Sequence, residues 1–126
     1  MAHAEFLRQE GGDDLVAEQA KDDWRQIDLT DAEYAMLEWV EKLTLHPAMM
    51  THEDIQKLRT VGWTDRDILD IAHVCAYFNF RVRMVDGLGL ELGEWQIKRA
   101  QAGAERAAVL AEQRGVSMPP DPWGVR

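Results

Sequence analysis

The chain has 126 residues and a formal net charge of −9, from 23 acidic and 14 basic side chains. That length predicts one domain, and 46% hydrophobic residues with five Trp exclude a wholly disordered chain. A single Cys excludes an internal disulfide and any Cys-rich zinc or iron–sulfur cage, and no apolar run reaches the roughly 20 residues of a membrane-spanning helix.

The charge is uneven. Residues 1–45 hold 12 acids and four bases, whereas residues 46–126 hold 11 and 10. An acidic face repels nucleic acid and anionic lipid, so neither a nucleic-acid partner nor direct membrane insertion is expected. Residues 1–10 lack the basic and apolar segments of a signal peptide, and the expected location is the cytoplasm. The acidic half reads first as a solvated helix face.

In chain order, His3 to Glu10 is expected to form a short helical piece that ends at Gly11-Gly12. Asp13 or Asp14 then caps a helix predicted to run to about Arg25. Thr30-Asp31-Ala32-Glu33 is a capping box, and the helix it opens runs to about Leu45, before His46-Pro47. Two apolar rows lie side by side on that helix: Ala32, Met36, Trp39, Leu43 and Tyr34, Leu37, Val40. A face so broad predicts burial on more than one side.

Thr51-His52-Glu53-Asp54 opens a further helix that ends at Gly62, and Thr64-Asp65-Arg66-Asp67 opens the next. In this one Ile68, Ile71, Cys75, Phe78, Val82 and Val85 follow 3-4-3-4-3 spacing, and no charged residue stands between Ile71 and Phe80. That pattern predicts a central helix buried all round its middle, ending near Gly87. Glu94 to Arg114 is an Ala-rich helix, with Ala100, Ala104, Ala108 and Ala111 as its close-packing face. The Pro-rich tail from Met118 to Trp123 is expected to be extended. Strand patterning is absent, so the fold class is all-α.

The helix–turn–helix spacing of residues 51–86 raises a DNA-binding reading. The second helix, however, would present Asp65, Asp67 and Asp70 to phosphate, which opposes binding. An ordinary antiparallel helix pair is the better reading. His46, His52, His73 and Cys75 are the metal-ligating residue types, but none has i,i+4 His spacing or a Cys-x-x-Cys, and Met1-Ala2-His3 is a weak amine-terminal copper or nickel pattern. No metal and no cofactor are called for. His73, with Asp70 and Tyr77 one turn away on either side, reads as a hydrogen-bonded helix histidine. Cys75 has no cation one turn away and reads as an inert core cysteine. Asn79, inside Tyr77-Phe78-Asn79-Phe80, is an amide among apolar residues. It must find partners, either as a clamp to a neighbouring element or as part of a site.

Several stretches together resemble the AhpD-like proteins of the carboxymuconolactone decarboxylase superfamily, in their peroxidase-related branch. They are Glu41-Lys42-Leu43-Thr44, Thr51 with Asp54-Ile55 and Leu58-Arg59, Gly62-Trp63-Thr64-Asp65, Ala76-Tyr77-Phe78-Asn79-Phe80, and Gly87-Leu88-Gly89. His3 to Arg8, followed by Gly12-Asp13, is similar to the same branch. The resemblance implies an all-α AhpD-like helical bundle that forms homo-oligomers. It divides the chain into a core over 1–92 and an additional Ala-rich helix and tail over 93–126.

The family's chemistry implies peroxide reduction by a Cys-x-x-Cys pair, one thiol attacking and the second resolving the sulfenic acid. His3 aligns with the His that ends that motif, and the thiol pair is not in this sequence. Cys75 matches neither position. The expectation is therefore a non-catalytic, self-associating or assembly subunit. The alternative is an alkylhydroperoxidase-type antioxidant enzyme whose catalytic N-terminal segment is missing from this chain.

Overall fold

The structure, a computed structural model, describes residues 13–121. The helix expected over His3–Glu10, and His3 itself, lie outside the described residues, as does the end of the Pro-rich tail. Among the described residues the structure is helical, with five α-helices and no strand. They are α1 (Asp14–Asp22), α2 (Asp31–Leu45), α3 (His52–Thr60), α4 (Asp65–Gly87) and α5 (Glu94–Arg114). None is long and apolar enough to cross a membrane.

The helix starts are set by local chemistry. The Thr30 hydroxyl accepts from the Glu33 backbone N–H at 3.2 Å, and the Glu33 carboxylate accepts from the Thr30 N–H at 2.9 Å. Thr64 and Asp67 repeat this reciprocal pair at the start of α4. At α3 the Asp54 carboxylate takes the Thr51 N–H at 2.8 Å. Each box satisfies donors that a helix N-terminus would otherwise leave open. Asp13 caps α1 through the N–H groups of Leu15 and Val16. That helix stops at Asp22, three residues short of the expected Arg25, because the Asp23 side chain caps a separate 3-10 turn over Trp24–Gln26. Thr60 ends α3, and Gly62 follows with φ +104°, a conformation that favours glycine.

The described residues divide into two compact units, 13–28 with 92–121, and 29–91. In the first, α1 packs on α5. The division that the resemblance implies sets α1 in the 1–92 core; in the structure α1 contacts the Ala-rich helix. Leu15, Ala107 and Ala111 form a buried cluster with Leu110 and Met118 against it. Gly103, Ala104 and Ala107 are buried, and Ala108 is exposed. Ala104 and Ala111 of the expected close-packing face are thus buried, and Ala107 takes the place expected for Ala108. Arg106 pairs with Asp14 at 2.9 Å and Arg114 with Asp13, both at the start of α1. These pairs are largely solvent-facing and add little, so close Ala packing holds the unit.

In the second unit α2 contacts both α3 and α4, as its two apolar rows predict. Neither row is fully buried, and Tyr34 is exposed. Trp63, in the turn before α4, donates its indole N–H to the Ala32 carbonyl at 2.9 Å and ties that turn to the start of α2. Leu58 of α3, 1% exposed, is the largest fully buried side chain.

One expectation is corrected. α4 is not buried all round its middle. Ile68 and Cys75 are buried and Ile71 and Phe78 half-buried, but Val74, Tyr77 and Phe80 are more than half exposed. The seam that begins at Ile68 also opens to solvent at Val82 and Val85. The reason is length and number of partners. At 1.5 Å per residue, α4 is about 34 Å long and α2 about 22 Å, and α2 and α3 lie along a single side.

Several carboxyls in these caps titrate low. The Lys42 ammonium, with the Thr51 N–H, holds Asp54 below the ordinary carboxylate range. The Thr64 hydroxyl and N–H do the same for Asp67, and the Thr30 N–H and hydroxyl for Glu33. A pKa depressed in the folded state stabilises above the unfolded value and is lost as pH falls through the folded value. Urea midpoints are therefore expected to hold between pH 7 and pH 5 and to fall below about pH 4. Asp67→Asn and Glu33→Gln should each weaken the protein at pH 7 and flatten that acid limb. An unchanged midpoint at pH 3 would contradict the assignment.

Candidate functional site

Two of the residues singled out in the sequence, Cys75 and Asn79, meet at one place, where α4 crosses the end of α2. Asn79 donates from Nδ2 to the Thr44 Oγ1 at 3.0 Å and to the Cys75 Sγ at 3.3 Å. Its Oδ1 and its backbone carbonyl both accept from the Arg83 guanidinium, at 3.1 and 3.0 Å. Thr44 Oγ1 and Cys75 Sγ are 3.5 Å apart, and the thiol also points at the Val40 carbonyl, 3.9 Å away. Asn79 is therefore a bridge between two helices 35 residues apart in sequence, and its amide is occupied on both sides. Cys75 is 7% exposed and sits under that bridge.

Chemically, this cluster holds a thiol without a base. Its neighbours are a hydroxyl, an amide and a carbonyl, none of which withdraws a proton from sulfur. The burial favours slow attack by reagents. Cys75 is expected to react with a thiol reagent at least tenfold more slowly in the native state than in denaturant, followed by absorbance of the released chromophore. Equal rates would contradict the buried placement.

His73 stands apart from this cluster. It is exposed, and its two expected partners are engaged elsewhere. Asp70 pairs with Arg66 at 3.1 Å, and the Tyr77 ring faces Arg81 at 5.8 Å. His52 contacts Gln56 at 2.9 Å, and His46 caps the end of α2. Among the described residues no group of His, Cys, Asp or Glu is placed to hold a metal ion.

Two cavities lie among the described residues. One of about 150 Å³ lies in the second unit between Ala35, Glu38, Trp39, Lys42, Asp54 and Lys57. Sequence reasoning missed its central ion pair, Lys42 to Asp54 at 2.6 Å, with the Asp54 side chain 7% exposed. The Trp39 indole N–H in its wall is buried and has no acceptor among the described residues. The other, about 420 Å³, is an open cleft in the first unit lined by Gln101, Ala104, Glu105, Ala108 and Met118, with one carboxylate and no nucleophile.

The remaining feature is a surface. On α4, opposite the packed side, Leu69, Tyr77, Phe80, Met84 and Leu88 are between 47% and 65% exposed. With His73 they follow 4-4-3-4-4 spacing, which places them on one stripe. Leu90, just beyond the helix, is exposed as well. A contiguous apolar stripe of this kind marks an association surface more often than a solvent face.

Comparison with known proteins adds no identity to this geometry: no protein-family model matches the chain, and no curated protein matches it.

Proposed function

We propose that the chain is an AhpD-like helical domain without the redox cysteine pair, and that it works by self-association as a homo-oligomer or as a subunit of a larger assembly. The observation that carries this reading is the exposed apolar stripe of α4. A 23-residue helix with apolar seams on two opposite faces has one of them covered within the chain. Leaving the second in water forgoes about 25 cal/mol for each Å² of apolar area that a partner would cover. The lone thiol supports the non-catalytic half of the reading, because peroxide reduction through a disulfide needs a second sulfur and Cys75 has no base beside it.

Size exclusion with light scattering tests the first half. A mass that is a multiple of 14.4 kDa at micromolar concentration is expected, and a 14.4 kDa particle at every concentration would overturn it. Peroxide reduction with a dithiol reductant tests the second half. Wild type and Cys75→Ser are expected to match the uncatalysed background, and turnover that depends on Cys75 would restore the enzymatic reading.

A further inference from the structure

We draw no further inference here: the strongest candidate, the exposed apolar stripe of α4 through Tyr77 and Phe80, is the surface already described, and nothing in the structure shows what covers it.

Discussion

Leu58→Ala is expected to lower the stability of the 29–91 unit by about 3 kcal/mol, the middle of the range for a fully buried leucine cut back to Ala. Leu58 sits on α3, which contacts both α2 and α4, and it is 1% exposed. Its carbonyl also accepts the Trp63 N–H at 3.1 Å, so the backbone there is fixed and collapse around the cavity is limited. Against a total stability of roughly 5–15 kcal/mol for an ordinary domain, that loss is a large share. The measurement is urea unfolding followed by the fluorescence of Trp39 and Trp63. The midpoint should fall with the slope unchanged. A shift worth less than 1 kcal/mol would show that α3 is not the wedge between the other two helices.

Ala107→Asp is the second large expected effect, and Ala108→Asp is its control. Ala107 is 0% exposed and clusters with Leu15 where α1 meets α5. A carboxylate there has neither room nor partner, and burying it unpaired costs several kcal/mol. Loss of the α1–α5 contact should appear as loss of amide-exchange protection over Asp14–Asp22 and as a red shift of Trp24 emission. Ala107→Leu, which brings bulk without charge, should cost about 1–3 kcal/mol by overpacking. Ala108→Asp, one residue along on the exposed side, should stay within about 0.5 kcal/mol of wild type. Equal effects at 107 and 108 would contradict the burial of Ala107 and the exposure of Ala108.

Helix identity and helix starts were legible in the sequence by itself. Thr30 with Glu33, Thr51 with Asp54 and Thr64 with Asp67 are three residues apart, so the bonds that start α2, α3 and α4 are local and need no knowledge of the rest of the chain. The Arg83 contact to Asn79 is likewise a one-turn bond. For the candidate site, the need of Asn79 for partners and the burial of Cys75 could be read from their apolar surroundings in the sequence. Thr44, which Asn79 reaches, could not, because that bond joins positions 35 apart and depends on how two helices cross. The fate of His73 was also a matter of competition: Asp70 is one turn from Arg66 as well as from His73, and a guanidinium is the stronger partner.

What only the tertiary structure decided is which faces meet. Periodicity reports that a helix has apolar seams and cannot say which of them is covered. On α4 the seam through Ile68 and Cys75 faces α2, and the stripe through Tyr77 and Phe80 does not, because two shorter helices reach only one side of a longer one. On α5 Ala104 and Ala111 are buried as the pattern predicts but Ala107 is buried in place of Ala108, because an Ala-rich helix offers several nearly equal faces and the larger neighbours, Leu15 and Met118, choose among them. Local hydrogen-bonding and propensity act within a turn or two of helix, so they are written in short stretches of sequence; the choice between equivalent faces depends on the length and placement of other elements and is made only when the chain folds.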